Sequence, residues 1–116
     1  MDAATERRLL GLLGLGLRSR RAVLGVDRVR EAARRGTLRV AVVAADAAAN
    51  SRQKVEGLLV AKQVPMLWVA SAATLGQVAG REATAVIGVV DAELAQGILA
   101  LAAPAGTGPD GSRGTG

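Results

Sequence analysis

The chain contains no cysteine, no histidine, no phenylalanine and no tyrosine, and a single tryptophan. Without cysteine there are no disulfides, no thiolate nucleophile and no sulfur-ligated metal, a usage that fits a reducing compartment. Without histidine the commonest metal ligand and the usual general base near neutral pH are missing. Aromatic platforms on which single-stranded nucleic acid stacks are missing too, which argues against that mode of binding. A catalytic site would have to be assembled from scattered carboxylates, Ser, Thr and two Lys residues. The acids Asp46, Glu56, Glu82, Asp91 and Glu93 show no spacing suited to hard-metal binding or paired acid–base work. No metal, cofactor or catalytic residue is therefore expected.

What is present is small and aliphatic, or basic. Half of the 116 residues are hydrophobic, nearly all Ala, Val and Leu, so the core must be built from short side chains. The net charge of +5 conceals an asymmetry. Between Arg7 and Arg39 ten arginines face only Asp27 and Glu31, a balance of +8, whereas the remaining five basic and eight acidic residues balance at −3. The positive excess lies in the first third of the chain, which favours one basic surface over a uniformly basic protein.

Periodicity gives an alternating order of elements. A helix is predicted from about Ala4 to Leu17, with a short extended "AVL" ending at Gly25. A second helix starts at Asp27 and stops at Gly36. "LRVAVVAA" from Leu38 reads as a strand buried on both faces. Asn50 or Ser51 would cap a helix running to about Lys62, and "VPMLWVA" reads as a second buried strand with Trp68 in or against the core. A short helix capped by Ser71 closes at Gly80. "TAVIGVV" is the third buried strand, and Asp91 opens a last helix ending near Leu101. Short connections between these elements imply an α/β fold, a three-layer α/β/α sandwich with a small central sheet. One domain, residues 1–103, is expected, followed by a disordered Gly/Pro-rich tail at 104–116. The apolar run at Leu9–Leu17 is short and interrupted by glycines, and Asp2 and Glu6 spoil a signal-peptide pattern, so a cytoplasmic protein with no membrane association is expected.

The glycines of "GLLGLGLR" invite a dinucleotide-loop reading, but no strand precedes them and the spacing is wrong. Close helix packing explains them better. Asp46 follows a strand, where a loop or capping role is the simpler assignment.

The stretch "RSRRAVLGVDRVREAARRG" places seven arginines in residues 18–36. Gly25 permits close backbone approach to a ligand, and the helix start behind it presents unpaired N–H groups and the positive end of a dipole. Arg18, Arg20 and Arg21 precede the turn; Arg28, Arg30, Arg34 and Arg35 follow it. Arginine forks bind phosphate or a guanine edge in two-point contact. An arginine-rich solvated helix is the plain alternative.

With "LLGLGLRSRRAVLGVDRV", "VAVVAADAAANSRQK" and "VPMLWVASAATLGQVAGREATAVIGVVD" in this order, the chain resembles the kink-turn-binding ribosomal-protein family. This family comprises an archaeal large-subunit protein, its eukaryotic relatives and the short bacterial YlxQ-like proteins. The resemblance runs from about Leu9 to Leu101 and is strongest to the YlxQ-like branch at Asn50–Lys54. It implies a non-catalytic protein that binds structured RNA, rRNA or a kink-turn, with ribosomal or translation-related proteins as further partners. In the family, a turn at the start of the second helix reads guanines of sheared G·A pairs, and a loop before the last strand covers a flipped-out nucleotide. By position the turn falls on Gly25, Val26, Asp27 and Arg28, and the loop on Arg81, Glu82, Ala83 and Thr84. Arg21 matches a basic residue ahead of the first strand. Asp27 stands where strong kink-turn binders carry Asn, Arg28 where they carry Glu, and Glu31 where they carry Lys. An aspartate accepts from a guanine but cannot donate to it, and Glu31 sets a negative charge where a cation would face RNA. A protein-interaction module on the same fold, its basic face meeting an acidic protein surface, is the alternative function.

Overall fold

A computed structural model of the chain describes residues 2–102; the predicted tail at 104–116 lies outside the described residues. Nine elements follow one another: α1 (Ala3–Arg18), β1 (Ala22–Leu24), α2 (Val26–Arg35), β2 (Val40–Ala44), α3 (Ala49–Ala61), β3 (Met66–Val69), α4 (Ala72–Val78), β4 (Val86–Val89) and α5 (Ala92–Ala102). The four strands form one mixed sheet in the order β1-β4-β2-β3. β4 runs antiparallel to both β1 and β2, and β2 and β3 are parallel.

The layers follow from the two-residue period of the central strands. Val40, Val42 and Ala44 of β2 join Ile87 and Val89 of β4 on one face, under Leu9 and Leu13 of α1, Leu75 of α4 and Leu94 and Ile98 of α5. Ala41 and Val43, with Val86, turn to the other face, under Val29 and Ala33 of α2 and Val55 and Leu59 of α3. Burying each of the larger aliphatics contributes roughly 1.5–3 kcal/mol, so many short side chains together supply the core. Gly14 and Gly16 are buried within α1, facing Val78 and Leu94 respectively, which is the close helix packing expected of the glycine run.

The helix starts combine expected and unexpected caps. Ser71 Oγ accepts from Thr74 N–H at 3.2 Å and Asp91 Oδ2 from Leu94 N–H at 2.8 Å, as expected. Asp2 Oδ1 caps α1 through Thr5 N–H at 2.7 Å, and that bond holds the carboxyl below its usual range. This part of the α1 cap is therefore present at neutral pH and lost as pH falls through the acid range. For α3 the expected cap at Asn50 or Ser51 is corrected. The helix begins earlier, after Ala48, so Asn50 and Ser51 fall inside its first turn and no side chain caps it; Arg52 Nε separately donates to the Ala47 carbonyl at 3.1 Å.

β3 also departs from expectation. Strand order puts it at the edge of the sheet, so only Val69 among its four residues is buried and Trp68 is 41% exposed. The apolar character of "VPMLWVA" matches that of a central strand, but β4 inserts between β1 and β2 and leaves β3 outermost. Among the described residues no helix is long and apolar enough to cross a membrane.

Candidate nucleic-acid interface

The turn between β1 and α2 is fixed by both backbone groups of Gly25. Its N–H donates to the Val86 carbonyl at 3.0 Å, and its carbonyl accepts from Val29 N–H at 3.1 Å, the first bond of α2. Gly25 is itself the N-cap, with φ 92° and ψ 163°, a region open almost solely to glycine. The helix therefore starts at Val26, one residue ahead of the expected Asp27, which lies exposed in the first turn. No side chain caps α2, so its first amides point outward at the positive end of the helix dipole.

Across from this turn lies the connection between α4 and β4. Arg81 N–H returns to the Gly76 carbonyl at 2.8 Å, and Thr84 N–H donates to the Ala72 carbonyl at 2.9 Å, so the loop is tied beneath α4 at both ends. Asp46 Oδ1 accepts from Ala72 N–H at 2.7 Å, an anchoring contact at the start of α4. Gly76 makes this approach possible, because a β-carbon there would lie 2.7 Å from the Ala83 backbone. Sequence reasoning missed this residue; a glycine in the interior of a short helix was the available signal.

The turn and the loop enclose one cleft of about 380 Å³, lined by Gly25, Val26 and Arg28 on one side and Arg81, Ala83 and Thr84 on the other. Thr84 is 7% exposed. Six of the candidate residues, from stretches more than fifty positions apart, are thus brought together. Arg28 also borders two neighbouring clefts, one shared with Arg20 over β1 and one shared with Glu31 and Arg35 along α2.

The remaining candidates are dispersed. Glu82 is exposed and does not line the cleft. Arg20 sits at φ 62° in the turn after α1. Arg21 lies at the far end of β1, where its guanidinium is 4.0 Å from Asp91. The Arg18 guanidinium lies back over Gly14 of α1. Arg34 is exposed in the last turn of α2, and Arg30 donates to the Lys54 carbonyl, tying α2 to α3. Glu31 pairs with Arg35 at 2.9 Å, so its charge is partly met from one turn further along.

Residues 7–98 match the model of the ribosomal protein L7Ae/L30e/S12e/Gadd45 family. The chain belongs to this family. Over 90 residues, 78% of this chain and 90% of the other, it is 34% identical to the RNA-binding protein YlxQ of Bacillus subtilis (strain 168). A solved protein of unknown function from Bacillus halodurans C is 30% identical, with a TM-score of 0.73, over 80% of this chain and 94% of that one. A 15.5kD RNA-binding protein of Giardia lamblia superposes with a TM-score of 0.68 at 21% identity, over 87% and 92% of the two chains, and so shares the fold. The five helices and four-stranded mixed sheet are those of the L7Ae-type fold, as the resemblance implied.

Proposed function

We propose that this member of the L7Ae family is a non-catalytic, cytoplasmic protein that binds structured RNA, in association with the ribosome or translation. It grips a bend or internal loop in the cleft between Gly25–Arg28 and Arg81–Thr84. The observation that carries this reading is that cleft: outward amides of an uncapped helix start, flanked by Arg28 and Arg81, with a buried threonine in the wall. Such a concavity suits phosphate oxygens and base edges together. The naming of YlxQ as an RNA-binding protein supports it.

A kink-turn duplex is the RNA of choice for the test. Binding should weaken steeply with salt, by about one unit of log–log slope for each phosphate neutralised. The kink-turn should bind at least about tenfold more tightly than a straight duplex of equal length. Equal affinity for the two duplexes would exclude recognition of the bend.

Glu31 supplies a further prediction. Because it holds Arg35 and faces the same side as Arg28, Glu31→Lys removes a negative charge and releases Arg35. RNA affinity should rise by roughly fivefold and the salt slope should steepen by about one. Fluorescence anisotropy across a salt series measures both quantities.

A further inference from the structure

A second basic cleft lies at the opposite end of α2, on the same face of the sheet. It occupies about 330 Å³ between the C-terminal ends of α2 and α3, lined by Gly36, Arg39, Lys62, Gln63, Val64 and Pro65, and no carboxylate borders it. Among the described residues neither Arg39 nor Lys62 forms an ion pair. Cations beside helix C-termini ordinarily serve the free carbonyls there. Here backbone amides already take part of those carbonyls at the end of each helix. Gly36 and Thr37 donate to Ala33 and Ala32 at 3.1 and 3.0 Å, and Gln63 and Val64 donate to Val60 and Leu59 at 3.1 and 2.9 Å.

Gln63 adds a second observation. It holds φ 58°, a left-handed position that glycine takes freely and a β-carbon disfavours. Its amide group is a hydrogen-bond donor beside Arg39 and Lys62 in the cleft wall. The cleft thus gathers a guanidinium, an ammonium and a side-chain amide, and no acid. Exposed Arg34 and Arg35 lie beside it in the last turn of α2, and the Gly25 turn is about 15 Å away along the ten residues of that helix.

We propose that this cleft is a second phosphate site, which holds the backbone of the duplex flanking the RNA bend, laid along α2. The proposal rests on the RNA reading above. The cleft's own charge, with Arg34 exposed beside it and α2 leading from it to the Gly25 turn, favours the RNA held at that turn over an acidic protein segment as the occupant.

The test uses the full chain and two kink-turn RNAs, one with its stems cut back to the kink and one with a full helical turn of stem on each side. Arg39→Gln combined with Lys62→Gln should weaken binding of the long-stem RNA by about tenfold and lower its salt slope by about two, leaving the short RNA within about twofold. Gln63→Gly should raise the unfolding midpoint while weakening long-stem binding by about two- to threefold, a pairing that a merely structural role for Gln63 does not produce. If the double variant binds the long-stem RNA as wild type does, or loses both RNAs equally, this second site is wrong. Wild-type protein that binds neither RNA would remove the RNA reading itself, and this proposal with it.

Discussion

Gly76→Ala is expected to destabilise the protein by about 2 kcal/mol, although alanine is the better helix former by roughly 1 kcal/mol. The new β-carbon would lie 2.7 Å from both the N and Cα of Ala83 and 2.8 Å from the Arg81 carbonyl oxygen. These are backbone atoms, so no change of rotamer relieves the clash, and α4 and the loop must separate. Separation lengthens the bonds from Arg81 N–H to Gly76 and from Thr84 N–H to Ala72 that tie the loop down. The clash therefore outweighs the gain in helix propensity. Denaturant titration should show a lower midpoint, and RNA affinity should fall further than in Arg81→Gln, because the whole wall of the cleft moves. Unchanged or higher stability would contradict the packing of this loop beneath α4.

Gly25→Ala is the second substitution with a large effect, and its cause is different. Nothing lies within 4 Å of a β-carbon at this position, so the strain is wholly in the backbone. At φ 92° and ψ 163° an L-residue costs of order 1–3 kcal/mol. The chain can relax only by rotating the turn, which weakens the 3.0 Å bond from Gly25 N–H to Val86 and re-aims the first amides of α2. Stability and RNA affinity should therefore fall together. A variant that lost stability but kept full RNA affinity would show that the turn is structural and not part of the interface.

These two glycines mark what the sequence reveals and what it hides. Gly25 was legible because it follows a short extended run and precedes a helical stripe. A glycine inside a short helix hints at Gly76, but the need for it arises from a loop several residues downstream that no local pattern identifies. The same contrast runs through the sheet. "LRVAVVAA" reads as a central strand and is one, since Val40 to Ala44 are all buried. "VPMLWVA" has the same apolar character, yet its exposure depends on where β4 inserts, a long-range choice. The caps at Ser71 and Asp91 were readable from side chains that accept from their own first turn. The start of α3 was not, because Ala48 precedes it and no side chain accepts from its first amides.

The arginine cluster shows why charge alone locates a surface but not a site. Folding sends Arg18 over Gly14, Arg21 to Asp91 and Arg30 to the Lys54 carbonyl. Arg28 reaches the cleft and meets Arg81 there, a residue far along the chain that the charge count did not single out.

The most direct test of the account is a titration of the isotope-labelled protein with kink-turn RNA, following backbone amide shifts. The largest changes should fall on Gly25 to Arg28 and on Arg81 to Ala85, and should saturate together with one affinity. Changes gathered instead around exposed Trp68 and the β3 edge, with the Gly25 turn unmoved, would contradict it.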